Sequence, residues 1–357
     1  MNFADVLLEV IRVNASDLHL TVGSPPMVRE RGELRALDYP ALSSQDTREI
    51  VYSILTNDQR QRLETDWQID FAYSIPGRAR FRVNAFHQRA SIGAAFRLVP
   101  SEVPELEDLG LPPVLTDFTN KPRGFVLVTG PTGSGKSTTL AAMVNRINRE
   151  RREHIMTIED PIEFLHKHRS CIVNQRELGA DAPSFALALK AALRQDPDVI
   201  LVGEMRDLET IATALTAAET GHLVFATLHT QDTAQTIDRV VDVFPPEQQH
   251  QVRVQLSVAL QGIVTQQLLP TADGQARTVA TEVLIPTPGV RNLIREGKTH
   301  QIYSALQTGG AHGMQTMDAS LADLVRQHKI TRELAESRAS SKDELKRLLG
   351  SPTPVAA

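Results

Sequence analysis

The sequence predicts a small α+β domain followed by a larger α/β domain with a mostly parallel sheet. Its 357 residues exceed what one hydrophobic core ordinarily organises. Residues 17–99 hold short alternating runs broken by Gly and Pro, whereas after Gly124 continuous apolar runs alternate with helical patterns. Between them, Pro100, Pro104, Pro112, Pro113 and Pro122 stand beside Glu102, Glu105, Glu107 and Asp108, which is linker composition.

Taken in order, Phe3, Val6, Leu7, Val10 and Ile11 recur at helical spacing and predict a helix over Asn2–Val13. Turn chemistry at Gly23-Ser24-Pro25-Pro26, Arg31-Gly32 and Pro76-Gly77 separates the strands that follow, with helices expected over Ser44–Leu55 and Asp58–Leu63. In the second domain, strands are expected at Phe125–Thr129, Ile155–Ile158, Val199–Val202 and Leu223–Leu228. Helices are expected at Lys136–Asn148, Ser184–Arg194, Leu208–Glu219 and Thr233–Val243, then at Glu247–Leu260, Val290–Arg295 and Met317–Gln327. The polar end of the chain, with Pro352 and Pro354, reads as a frayed tail.

Composition removes several function classes. The apolar and charged fractions, 41% and 23%, argue against fibrous or wholly disordered chains. A net charge of −5 gives no global attraction for nucleic acid or anionic lipid. The single cysteine, Cys171, excludes an intramolecular disulfide framework and any multi-cysteine zinc module, and suits a reducing compartment. No apolar run approaches a membrane span and the first residues lack the basic start of a signal peptide, so a cytoplasmic location is the expectation.

The most specific chemistry lies at Gly130-Pro131-Thr132-Gly133-Ser134-Gly135-Lys136-Ser137, which fits G-x-x-x-x-G-K-[ST] between an apolar strand and a helix. Glycines let successive backbone N–H groups converge on an anion at a helix N-terminus, Lys136 reaches the outer phosphates, and the Ser137 hydroxyl suits Mg2+. Thr138 completes the binding segment, and ATP with Mg2+ is the expected ligand pair. Acids end two apolar strands, where an open α/β sheet places its ligands. Glu159, Asp160 and Glu163 crowd around Pro161, a costly arrangement without a cation, and Glu204 closes the run Val199–Gly203. His229 ends the next strand, where it suits either a γ-phosphate contact or a structural hydrogen bond.

Arg78, Arg80, Arg82, Arg89 and Arg97 fall within one stretch that has no acid and no lysine. Strand alternation puts Arg80, Arg82 and Asn84 on one face and Phe81, Val83 and Ala85 on the other. Forked arginine donors suit phosphate or carboxylate, so this face fits a nucleotide held by another domain or subunit, a nucleic acid, or plain solvent.

Together these motifs resemble the PilT-type retraction ATPases of the secretion ATPase superfamily. The resemblance spans nearly the whole chain: Ala15–Leu20, Arg80–Asn84, the phosphate loop, Thr157–Phe164, Val199–Asp207, Ala218–His229 and Arg291–Glu296. It implies that 1–99 is a PAS-like N-terminal domain, that 122–340 is a RecA-like ATPase domain with C-terminal helices, and that the chain forms a homohexameric ring; composition supplies the linker (100–121) and the flexible tail (341–357). It further implies that Lys136 binds the β- and γ-phosphates, Ser137 and Glu204 serve the metal, Glu163 activates the water, and His229 senses the γ-phosphate. Arg82 and Arg97 match positions that reach the nucleotide across an interface, with Arg80 ranked behind them. The implied work is pilus retraction and twitching motility, against a platform protein of the inner membrane, with other pilus motor ATPases as further partners. The implied location is peripheral to the inner face of the cytoplasmic membrane. Gly289-Val290 stands where relatives usually have Ala-Ile before Arg291, which loosens that helix start.

Three other readings share parts of this pattern: an accessory retraction or a type II/IV secretion ATPase, a nucleic-acid translocase, and a nucleotide-gated scaffold without turnover. The net charge and the scarcity of stacking aromatics near the arginines weigh against the translocase, so no nucleic-acid partner is expected. The crowded acids weigh against the scaffold.

Overall fold

A computed structural model describes residues 2–30, 32–100 and 102–350. Residues 351–357 of the expected tail, and Arg31 of the expected Arg31-Gly32 turn, lie outside the described residues. Two compact units are present: Met1–Glu102 with Glu163–Leu165, and Val103–Ile162 with His166–Ala357.

The first unit begins with α1 (Phe3–Arg12), whose Val6, Leu7 and Val10 are buried as their spacing requires. Strands β1 (Asp17–Leu20), β2 (Met27–Glu30) and β3 (Glu33–Ala36) follow, then α2 (Ser44–Ser53) and α3 (Asn57–Asp66). Both helices open with capping boxes, Ser43 with Asp46 and Thr56 with Gln59, which fix their starts. Strands β4 (Gln68–Ile75), β5 (Ala79–Gln88) and β6 (Ser91–Val99) complete an antiparallel sheet in the order β3-β2-β1-β6-β5-β4. Along β5, buried and half-buried positions alternate, with Phe81, Val83 and Ala85 in the core and Arg80, Arg82 and Asn84 on the opposite face. This is the α+β half expected from the sequence.

The second unit opens with a correction. The stretch 100–121, expected as a linker, carries a 3-10 turn (Leu106–Leu109) and α4 (Val114–Thr119), and it buries Leu106, Leu115 and Phe118. The Phe118 ring packs against Gly262, where any side chain would collide with it. The acids that suggested a solvated linker pair instead with the following helix: Glu105 with Arg149 at 2.6 Å, and Glu107 with Arg146. Proline content misled because these prolines flank short turns packed on a core rather than a free chain.

Next come β7 (Gly124–Thr129), α5 (Lys136–Glu150), β8 (His154–Glu159), β9 (Ile172–Glu177), α6 (Phe185–Ala192), β10 (Val199–Val202), α7 (Leu208–Glu219) and β11 (Leu223–Leu228). They are followed by α8 (Thr233–Asp242), α9 (Pro246–Ala259), β12 (Leu260–Pro270), β13 (Arg277–Leu284) and α10 (Pro288–Arg295). The chain closes with α11 (Ile302–Thr308), α12 (Met317–Arg326), α13 (Arg332–Arg338) and α14 (Lys342–Leu349). The sheet runs β13-β12-β7-β11-β10-β8-β9, parallel except for the β12–β13 hairpin. Both faces are covered, by one apolar cluster with α6, α7 and α9 and by another with α4 and α5. That double cover explains the continuous apolar runs of β7, β10 and β11.

The expected flexible tail is also corrected. Residues 342–349 form α14, held by the buried Leu345 in a cluster with Met317, Leu321 and Ile330 of the C-terminal helices and their connections. Its charged face hides the apolar stripe from a composition reading.

Candidate functional site

The phosphate loop leaves the carboxyl end of β7 and enters α5. Gly130 takes φ +136°, and an ideal Cβ there would lie 2.4 Å from the Gln266 carbonyl oxygen and 2.7 Å from Ser134 Oγ, so no other residue fits. Pro131, Thr132, Gly133 and Ser137 are exposed, Gly135 and Thr138 are half-buried, and Ser134 is buried. Lys136 is only 9% exposed. Its Nζ donates to the carbonyls of Gly130 at 2.8 Å and Pro131 at 3.0 Å. Burial holds its pKa below the ordinary lysine value, and the carboxylate of Glu204 counters that. A partly desolvated ammonium satisfied only by neutral oxygens is a strong receptor for an anion.

Glu204 follows β10 by two residues, and Gly203 between them is closely packed. A side chain at Gly203 would press on the Glu159 backbone at 3.2 Å. The Gly203 N–H donates to the Ile158 carbonyl at 2.7 Å, and Thr227 donates its hydroxyl to the Gly203 carbonyl at 2.5 Å. Of the Glu204 carboxylate, Oε1 lies 3.2 Å from His229 Nε2 and Oε2 accepts from Arg206 at 2.6 Å. Arg206's hydrogen bond, against the opposing effect of burial, holds Glu204 below the usual carboxylate range, with His229 adding to it.

The structure therefore gathers Lys136, Glu204 and His229 around the ends of β7, β10 and β11. Glu159 accepts from Thr157 at 2.6 Å and from Gln175 at 3.2 Å. Glu163 is grouped with the first unit, where Arg82 donates to it at 3.2 Å. Arg97 stands directly opposite Arg82 in the β5–β6 register, and its Nε donates to Asp17 of β1 at 2.8 Å. Two arginines opposed across a ladder repel, and these two carboxylates offset that repulsion.

Among the described residues, no group of three or more His, Cys, Asp or Glu side chains is gathered to hold a metal. The Ser137 hydroxyl and the Glu204 carboxylate are donor types that suit Mg2+, which keeps several waters and takes its remaining oxygens from substrate phosphates.

A family model described as type II/IV secretion system protein matches residues 3–348. The chain belongs to this family. A type IV pilus retraction ATPase, PilT, of Pseudomonas aeruginosa is 52% identical over 339 residues, which cover 95% of this chain and 98% of that relative. A twitching motility protein of Neisseria gonorrhoeae is 53% identical over 320 residues, covering 90% and 86%. The crystal structure of the pilus retraction motor PilT with bound ADP aligns at a TM-score of 0.90 and 51% identity, covering 97% of this chain and 99% of that one. The resemblance to PilT-type secretion ATPases and the α/β, RecA-like fold expected from the sequence are both borne out. No helix among the described residues is long and apolar enough to cross a membrane.

Sequence reasoning gave this secretion-family chain no partners for Glu204 and Arg97. Arg206 sits two residues beyond Glu204 and could have been noticed as a nearby cation. Asp17 lies 80 residues from Arg97, and only the β1–β6 pairing brings them together.

Proposed function

We propose that this chain is an ATP-hydrolysing motor that powers type IV pilus retraction. The observation that carries the reading is the buried Lys136 ammonium, satisfied by loop carbonyls at the head of α5, with Glu204 and His229 on the neighbouring strand ends. Its identity to retraction ATPases over nearly the whole chain supplies the biological setting.

In this reading the backbone of Gly130–Thr138 cradles the phosphates and Lys136 exchanges its carbonyl partners for β- and γ-phosphate oxygens. Ser137 and Glu204 hold Mg2+, which when bound neutralises charge on those oxygens. Glu163 orients and deprotonates the attacking water, so its pairing with Arg82 has to open before turnover. His229 bridges Glu204 and the γ-phosphate, and loss of that phosphate returns it to Glu204 alone. Arg82 and Arg97 act in trans, on the nucleotide of a neighbouring subunit in a homohexamer. Nucleotide contacts that differ between bound and released γ-phosphate are what convert hydrolysis into motion. The motor works in the cytoplasm, peripheral to the inner membrane, against the pilus platform protein, beside other pilus motor ATPases.

The test is expression of the chain in cells that lack their retraction motor, alongside phosphate release by the purified protein. Restored twitching and phosphate release, both abolished by Lys136→Ala, are expected. Full phosphate release by Lys136→Ala would end this account.

A further inference from the structure

Gln266 of β12 is 1% exposed, between the buried Thr265 and the half-buried Gln267 in a strand that also buries Ile263, Val264 and Leu269. Burying an amide costs more than burying an apolar side chain of similar volume unless its polar atoms are hydrogen-bonded. Its Nε2 donates at 2.9 Å to Thr139 Oγ1, itself buried in the first turn of α5, three residues beyond Lys136. Its Oε1 has no hydrogen-bond partner. Its backbone carbonyl occupies the space above Gly130, 2.4 Å from where a Cβ would stand, and the buried, likewise unpartnered Ser134 Oγ lies 2.7 Å from the same point.

One residue thus touches both ends of the phosphate loop, at Gly130 and just past Lys136. Thr265, its neighbour, adds a contact one step earlier, hydroxyl to hydroxyl with Thr129 at 2.8 Å, in register with the β7–β12 pairing. The loop's N–H groups converge on an anion only if its two ends keep a fixed separation. A water-excluded hydrogen bond across those ends holds that separation more stiffly than apolar packing does.

We propose that Gln266 is a positioning residue that sets the geometry of the phosphate loop through Thr139, and with it the affinity for nucleotide. The inference rests on reading the loop as a nucleotide site.

The test is equilibrium binding of a fluorescent adenine nucleotide with magnesium to the full chain, with melting of the free protein measured in parallel. Gln266→Leu and Thr139→Val each remove the hydrogen bond and should weaken binding about tenfold, the worth of one buried hydrogen bond. The double variant should be no weaker than either single one, because both remove the same contact. Thr139→Ser keeps the hydroxyl and should bind like the unsubstituted protein. Should Gln266→Leu fail to fold, the Thr139→Val and Thr139→Ser pair still decides. Losses that add in the double variant, or a lowered melting temperature with unchanged affinity, would overturn the proposal and leave the site reading intact. Absence of nucleotide binding by the unsubstituted chain would overturn both.

Discussion

Glu204 accepts from Arg206 through one carboxylate oxygen while the other lies 3.2 Å from His229 Nε2. The acid is therefore kept ionised, primarily by Arg206, and its charge also acts on Lys136. Glu204→Gln retains the shape and loses the charge. It should bind nucleotide within a few-fold of the unsubstituted chain and lose about 100-fold or more in turnover. His229→Ala should lose less, about tenfold, because Glu204 keeps Arg206. Phosphate release and nucleotide binding measured side by side check both, and equal losses in binding and turnover would deny Glu204 a role in the chemical step.

Two of the three glycines of the loop, Gly130 and Gly133, should behave differently. At Gly130 both φ and space exclude a side chain, so Gly130→Ala should cost more than about 3 kcal/mol, through collision with the Gln266 carbonyl. At Gly133, φ is +80° but no atom lies within 4 Å of an added Cβ, so Gly133→Ala should cost only about 1 kcal/mol of backbone strain. Denaturant melts of the two variants give the comparison.

Local chemistry made much of this site readable from the chain. The phosphate loop lies directly between its strand and its helix, and Glu204 directly closes its own apolar run, so each of these signals is local in the chain. The β12–β13 hairpin escaped notice because Gln266, Gln267, Thr281 and Glu282 interrupt the apolar pattern, and the buried Gln266 Nε2, Thr281 hydroxyl and Glu282 carboxylate find their partners on distant elements. The acids at 105 and 107 likewise read as solvated until Arg146 and Arg149, some forty residues later, were placed beside them. Polar residues whose partners are remote in sequence carry no signal in spacing or composition.

Arg97 and Arg82 face each other on one ladder, yet their removal should differ for stability. Asp17 is 8% exposed, and although burial raises its pKa, hydrogen bonds from Ser16 and Arg97 outweigh that and hold it below the ordinary range. Arg97→Ala leaves this carboxylate with Ser16 and with Arg29 at 4.0 Å, and should cost roughly 1 kcal/mol. A depressed carboxyl contributes stability above its unfolded pKa and loses it as pH falls, so the variant's deficit should shrink in acid. Arg82→Ala strips a partner only from the exposed Glu163 and should leave stability nearly unchanged. Both should lower turnover if the pair acts in trans. Melting curves at neutral and acid pH, with phosphate release, separate the two roles; an equal stability loss in both variants would contradict the Asp17 account.

Glu282 supplies a pH signature of opposite sign. It is 2% exposed, lies opposite Thr265 in the hairpin register, and accepts from both the backbone N–H and the hydroxyl of Thr233 at 2.8 Å, at the start of α8. Burial raises its pKa, the two Thr233 donors only partly counter this, and Asp232 pushes it further up. The folded protein therefore holds this proton more tightly than the unfolded chain. Between the ordinary glutamate value and the raised one the native state carries the extra proton, so its stability falls as pH rises through that window. Asp318, also raised by burial, acts with the same sign. Glu282→Gln keeps an acceptor for Thr233 but cannot ionise. It should flatten, without abolishing, the fall in stability from acid toward neutral pH, and at neutral pH it should be at least as stable as the unsubstituted protein. Denaturant unfolding across that range measures the slope, and an unaltered slope in the variant would mean that Glu282 titrates alike in the folded and unfolded chain.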